Sequence, residues 1–410
     1  MLRLLLLLGA ADAALLRPTA DSVAFRAGQH GYRTYRIPGF VRAQNGALLA
    51  LAEGRVRVAG PQVPCHGWSN NTCCYGRPAS DFDGLCYDKC VPAPTPPPPP
   101  GLLILRAARH QGHRAQDEPR GGRTWGALQV LTQSNASYYY SNAIGVTDAT
   151  TGRIWVLYSR CSVALGYRGC TDRWAYSDTH GESFVPATAA EAQEHGSGLS
   201  GVGSGIQLRQ GPRKGRLLFA KGRTVFSDDH GAHWAASAAI FGSSEGQIAE
   251  LSGGNLLAAV RSGWQPGLRL STDAGGSWSR GYQLDGTGGH SNVTTDNCAL
   301  SMISVAPALD YVLLSHPNRP DIGPADDARA GQPIGRQNAT VSAARVVDGR
   351  PGAFADFVQI YDGPSAYTSL GQMASGECGV LYERSAVGAL PVQFDTINLA
   401  TFPCAPAAAA

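Results

Sequence analysis

The chain reads as all-β, a propeller of repeated blades, and three observations lead there. Short apolar runs recur along it, each bounded by Gly, Asp, Asn or Ser: GALLALAEG (46–54), GRIWVLYS (152–159), GRLLFAKG (215–222), GNLLAAVRS (254–262) and YVLLSHP (311–317). None keeps a helical period long enough for a good helix, so they read as strands, most of them buried. A motif S-x-D-x-G-x-x-W recurs between them. SDDHGAHW (227–234) and STDAGGSW (271–278) carry it intact, SDTHGESF (177–184) has Thr179 for Asp and Phe184 for Trp, and EPRGGRTW (118–125) keeps only the Gly and the Thr-Trp end. The starts lie 59, 50 and 44 residues apart, a spacing that suits propeller blades. The third observation is composition: 51 of 410 residues are Gly, which suits many tight turns. The motif reads as a hairpin turn in which Asp accepts backbone N–H groups, Gly takes positive φ and Trp tucks under the sheet. That role is structural, so the copies are expected away from any active site.

MLRLLLLLGAADAALL opens the chain as a secretory signal would, with Arg3, an apolar region from Leu4 to Leu8 and a small-x-small site at Ala11-Asp12-Ala13. The signal is expected over 1–13 and the propeller over 14–404. The apolar stretch is shorter than the ~20 residues that cross a bilayer, and no later segment is longer, so no membrane span is expected. TYRIPGF (34–40) then sets Arg36 in an apolar run, where a guanidinium is costly unless an anion meets it.

The rhythm breaks between Arg55 and Leu102. Cys65, Cys73, Cys74, Cys86 and Cys90, a glycosylation sequon and PAPTPPPPP (92–100) fall there. Residues 57–101 read as a disulfide-stapled insertion with a stiff polyproline exit. Sequons at Asn70-Asn71-Thr72, Asn135-Ala136-Ser137, Asn292-Val293-Thr294 and Asn338-Ala339-Thr340 agree with a secretory route. On that route the cysteines read as disulfides; no paired C-x-x-C spacing favours zinc, and Cys161 and Cys170 can close a short loop. No metal or other cofactor is implied. The net charge of +3 comes with no Lys/Arg run, so nothing argues for a nucleic-acid partner. The tail from 405 to 410 is expected to be disordered.

Three arginines sit near strand ends: Arg36, Arg261, which follows Glu245 by 16 residues, and Arg336 in GRQNATV. Tyr367 lies in YDGPSAYTSL and Glu383 in VLYERS. A propeller gathers the inner ends of its blades around one axis, so distant residues can share one mouth. Three guanidinium groups there would favour a carboxylate; alternatively, each is a surface arginine in its own salt bridge.

The motifs Tyr35-Arg36-Ile37-Pro38, the repeated Asp boxes, LAEGR (51–55), the stretch from Glu245 to Arg261 and LYE (381–383) together resemble an exo-α-sialidase, or neuraminidase. The similarity runs from about residue 24 to about residue 400. Within that group SGIQLRQGPRKGRLLF (204–219), SDDHGAHW, SHP with RQNAT, and GPSAYTSL (363–370) are similar to the animal lysosomal branch. The resemblance implies a six-bladed β-propeller that hydrolyses terminal sialic acids from glycoproteins, glycolipids or oligosaccharides. It implies that Arg36, Arg261 and Arg336 clamp the sugar's carboxylate, that Tyr367 is the nucleophile with Glu245 as its partner, that Glu383 holds the first arginine, and that Arg55 lies near the 4-position. The acid/base aspartate is expected at Asp81, beside the insertion, with Asp83 as the alternative. A second departure is LRAAR, where Ala107 stands in place of one of two paired arginines. A lysosomal or extracellular destination and a carboxypeptidase-type partner are further implications.

The chemistry agrees. Sialic acid carries a carboxylate on its anomeric carbon, so an anionic nucleophile is repelled and a neutral phenol is not. A phenol titrates near ~10 and needs a base to attack at working pH. Two other functions fit the same residues: a trans-sialidase that passes the sugar to a galactoside, and a secreted sialoglycan-binding propeller without catalysis.

Overall fold

A computed structural model of the chain describes residues 15–55, 101–106, 124–188, 199–237, 243, 245–263, 265–280, 293–319, 336–386 and 394–405. The expected signal, most of the insertion with its five cysteines, Asp81, Asp83, Ala107, the sequon residues Asn70 to Thr72 and Asn292, and nearly all of the tail lie outside these residues. Among the described residues the regular structure is all strand apart from two short 3-10 turns, with no α-helix.

Six antiparallel-dominated sheets form the blades of a propeller, as expected. The first holds β2 (Thr34–Arg42), β3 (Leu48–Arg55), β4 (Gly101–Arg106) and β5 (Gln129–Gln133). The second holds β6 (Tyr138–Thr147), β7 (Ile154–Ser162), β8 (Cys170–Ser177) and β9 (Val185–Pro186), with β10 (Gly203–Ser204) beside β6. The third is β11 (Ile206–Gln207), β12 (Leu217–Ala220), β13 (Thr224–Ser227) and β14 (Ala235–Ala236). The fourth is β15 (Gly246–Glu250), β16 (Leu256–Val260) and β17 (Gly267–Ser271). The fifth is β18 (Ser301–Ser304), β19 (Tyr311–Pro317), β20 (Gln337–Val347) and β21 (Arg350–Pro351), with β22 (Ala355–Pro364) on β20. The sixth is β23 (Thr368–Gln372), β24 (Cys378–Arg384) and β25 (Thr396–Phe402). Its outer strand is β1 (Ala20–Arg26), from the other end of the chain, and this pairing closes the ring.

The apolar runs lack polar alternation because both faces of each blade are covered. Leu48, Ala50 and Ala52 of β3 pack toward the sixth blade, and Leu49 and Leu51 toward the second. In β16, Leu257 and Ala259 face the fifth blade, and Leu256 and Ala258 the third. A fully buried strand reads as a continuous apolar run.

The three copies of the motif at 177–184, 227–234 and 271–278 follow the third strands of their blades, and the last of them lies at the end away from Glu245 and Arg261; most of the copy at 118–125 lies outside the described residues. The turns form as expected. Gly231 N donates to Ser227 Oγ at 2.8 Å and His233 N to Asp229 Oδ1 at 2.8 Å; Gly275 N donates to Ser271 Oγ at 3.0 Å and Ser277 N to Asp273 Oδ1 at 2.8 Å. In the imperfect copy Thr179 Oγ1 replaces the carboxylate and accepts Ser183 N at 2.9 Å. Each turn also braces the preceding blade: Trp155 Nε1 donates to His230 O at 3.1 Å and Gln129 Nε2 to Gly181 O at 3.1 Å.

Gly231 sits at φ 91°, and a Cβ there would run into the indole of Trp155. Gly231→Ala should cost about 3 kcal/mol, from left-handed strain plus the clash. Gly211→Ala, at φ 73° with nothing within 4 Å, should cost about 1 kcal/mol, the strain alone. Urea unfolding of the two variants measures the difference; equal losses would mean that the Trp155 contact is not a brace.

Cys161 and Cys170 form the short-loop disulfide, and Cys378 and Cys404 form a second that the spacing did not suggest. Cys298 is a buried free thiol. No helix among the described residues is long and apolar enough to cross a membrane.

Candidate active site

Each inner strand begins at one face of the ring, where the second strand of the preceding blade ends. At two such junctions the inner strand bulges and a buried carboxylate captures the bulge. In β2 the pairing slips between Arg36 and Gly39, Ile37 takes φ 57°, and Ile37 N donates to Glu383 Oε1 at 2.9 Å. In β6 the slip falls between Ser141 and Ile144, Asn142 takes φ 52°, and Asn142 N donates to Glu53 Oε1 at 2.8 Å. Glu383 on β24 and Glu53 on β3 thus hold the same place in successive blades. Positive φ at a β-branched residue is strained, and such strain gathers at functional sites.

Glu383 is wholly buried and does more than hold the bulge. Its Oε1 accepts Arg36 Nε at 2.7 Å, and its Oε2 accepts Tyr367 N at 3.1 Å. Arg36 is 5% exposed, and its guanidinium lies 5.0 Å from the ring centre of Phe394 and 5.5 Å from that of Tyr367.

Glu245 directly precedes β15, and Arg261 directly follows β16. Arg261 N donates to Glu245 O at 2.9 Å, which sets the two side chains side by side. One oxygen of Glu245, Oε2, accepts Arg261 Nη1 at 2.7 Å; the other, Oε1, accepts the Tyr367 hydroxyl at 2.7 Å. Arg261 Nη1 also reaches the Tyr367 oxygen at 3.3 Å. Arg336, just ahead of β20, is 7% exposed and places its guanidinium 5.6 Å from the same ring centre. Its Nη2 donates to Asn297 O at 2.8 Å, and no carboxylate pairs with it among the described residues.

The structure therefore brings Arg36, Arg261, Arg336, Glu245, Tyr367 and Glu383 into one cluster. Arg55 is buried at the end of β3, with its Nη2 2.8 Å from Glu53 Oε2. Asp81 and Asp83 are outside the described residues. Asn297, Phe394 and Glu53 were not singled out from sequence. The Asp-Asn dipeptide at 296–297, whose two residues both take positive φ (44° and 47°), was the one available signal for the first.

Burial lifts the Tyr367 phenol far above the usual tyrosine range; the Glu245 charge adds to this, and Arg261 and Arg336 oppose it. The resting nucleophile candidate is a neutral phenol with its proton directed at a carboxylate. Burial likewise pushes the Cys298 thiol up to about 11, so it stays protonated in the apolar floor with Ile37, Val202 and Tyr367. Counting only Arg36, Arg261, Arg336, Glu245 and Glu383 among the described residues, three guanidiniums meet two carboxylates.

The BNR repeat-like domain family matches residues 113–380, more than half of the chain. A sialidase of Micromonospora viridifaciens is 29% identical over 283 residues, which cover 61% of this chain and 37% of the relative; the chain thus spans well under half of that protein. Among solved structures, the Hadza microbial sialidase Hz136 superposes with a TM-score of 0.61 at 19% identity, over 92% of this chain and 68% of the other. The intramolecular trans-sialidase from Ruminococcus gnavus, in complex with oseltamivir carboxylate, gives 0.61 at 16% identity, over 93% and 96%.

Proposed function

The chain belongs to the BNR repeat-like domain family, and from that membership we propose that it is an exo-α-sialidase working by a retaining mechanism. The observation that carries the reading is Arg336. Among the described residues this buried guanidinium has no carboxylate partner, which is costly, and it lies in a cluster with Arg36, Arg261 and a neutral phenol. A sugar bearing one carboxylate at its anomeric carbon supplies the missing charge and brings that carbon to the phenol. Kinship with a sialidase supports a sialylated glycan as substrate.

In the mechanism we propose, the carboxylate binds Arg36, Arg261 and Arg336. Tyr367 attacks the anomeric carbon as its proton passes to Glu245 Oε1, already 2.7 Å away. Because the free phenolate is disfavoured by burial and by Glu245, attack and proton transfer are concerted. Asp81 protonates the departing oxygen, then takes a proton from the water that displaces the Tyr367 oxygen, and that oxygen regains its proton from Glu245 as the sugar is released. Two displacements retain the anomeric configuration. Arg55 serves the 4-position. The motif resemblance to the animal lysosomal branch extends the proposal to a secretory-pathway protein, lysosomal or extracellular, with a carboxypeptidase-type partner.

Hydrolysis of a fluorogenic sialoside tests the reading. The wild type should turn over, and Asp81→Ala should lose on the order of 10²–10⁴-fold in kcat, the usual contribution of a general acid/base. Loss in Asp83→Ala with full activity in Asp81→Ala would move the role to Asp83. An inactive wild type that still binds sialic acid would replace the enzyme by a binding propeller. Transfer to lactose outrunning hydrolysis would make it a trans-sialidase.

A further inference from the structure

The three arginines differ in how they are held. Arg36 rests on Glu383, Arg261 on Glu245. Among the described residues Arg336 has no acid, and the one hydrogen bond found to its guanidinium runs from Nη2 to the carbonyl oxygen of Asn297 at 2.8 Å. The side chain of the same Asn297 accepts Arg261 Nε at 3.0 Å through Oδ1. One residue thus touches two of the three guanidiniums, by its backbone and by its side chain. It is able to because of its own conformation. Asn297 sits at φ 47° after Asp296 at φ 44°, and Asn297 N donates to Gly263 O at 3.1 Å, two residues beyond Arg261. The double left-handed turn points the carbonyl at Arg336 and the amide at Arg261.

We propose that Asn297 is the positioning residue that sets the spacing of Arg261 and Arg336 for a ligand carboxylate. The proposal rests on the sialidase reading for its ligand. The Nε bond fixes the plane of the Arg261 guanidinium, so that Nη1 meets Glu245 and Tyr367 while the rest of the fork faces the bound acid. Without Oδ1 the plane is free to turn, and a bidentate contact that depends on it weakens.

Two variants separate positioning from scaffolding. Asn297→Gly keeps the left-handed turn and the carbonyl and removes only the side chain. Asn297→Ala removes the side chain and strains the turn as well. Binding of a non-hydrolysable sialic acid analogue is measured by calorimetry, next to thermal melting and, where the wild type turns over, KM and kcat. Asn297→Gly should bind about tenfold more weakly, the loss of one charge-assisted bond, with an unchanged melting temperature. KM should rise, and kcat should fall further, since Arg261 also contacts Tyr367. Asn297→Ala should show the same loss of affinity with a lower melting temperature. Wild-type affinity in Asn297→Gly with loss only in Asn297→Ala would overturn the proposal and leave Asn297 a turn residue. Binding measures the clamp without turnover, so a wild type that binds the analogue but does not hydrolyse would sink the enzyme reading while the Asn297 comparison still stands. If the wild type does not bind the analogue, both fall.

Discussion

Tyr367→Phe is expected to abolish hydrolysis, with kcat falling on the order of 10³-fold or more, as for other nucleophile deletions. Binding of a sialic acid analogue should stay close to that of the wild type. The substitution removes one oxygen and leaves the ring, on which Arg36 and Arg336 both rest at 5.5 and 5.6 Å. It also leaves the floor contacts with Ile37, Val202 and Cys298 intact. Glu245 keeps its ion pair to Arg261 at 2.7 Å, so its charge remains compensated. Single-turnover kinetics and calorimetry on the variant read the two quantities apart. A kcat within about tenfold of the wild type, a barrier change under about 1.4 kcal/mol, would remove Tyr367 from the chemistry.

Glu383→Ala should have the largest effect on stability, about 3–5 kcal/mol, because it leaves a buried charge unpaired. Three donors converge on this carboxylate: Arg36 Nε, Ile37 N and Tyr367 N, at 2.7, 2.9 and 3.1 Å. It ties β24 to the bulge of β2 in the next blade and to the segment that carries Tyr367. A loss of that size is a large part of the 5–15 kcal/mol that holds a typical domain. Glu383→Gln keeps an acceptor of the same shape and should lose less. Urea unfolding measures both; an Ala variant within about 1 kcal/mol of the wild type would contradict the role, since that is the value of an ordinary hydrogen bond.

Arg36 was legible in sequence because a charge inside an apolar run demands a partner. That its partner lies 347 residues away, in the sixth blade, was legible only through the family pattern. Leu48 to Ala52 and Leu256 to Val260 were legible as strands because burial on both faces gives unbroken apolar runs. The ring closure was not: β1 pairs with β25 through Ala20↔Thr401 to Arg26↔Thr396, and nothing local in ADSVAFR points there. The Cys378–Cys404 disulfide depends on the adjacency of β24 and β25, which spacing does not carry. Asn297 stayed hidden for a different reason. Half of its contact is a backbone carbonyl, which has no signature in residue type, and its side chain acts only once Arg261 has been brought beside it. Glu53 was hidden because its equivalence to Glu383 is a property of the blade repeat in space.

The central claim, attack by Tyr367 on an anomeric carbon, is tested most directly by trapping the intermediate. A sialosyl fluoride with a second fluorine at C3 pairs a good leaving group with a slowed second step, so a covalent sugar should accumulate on the nucleophile. Mass spectrometry of the digested protein should place the added sugar on the peptide that carries Tyr367. A label on Glu245 or elsewhere, or hydrolysis of a sialoside with no label on Tyr367, would contradict the account.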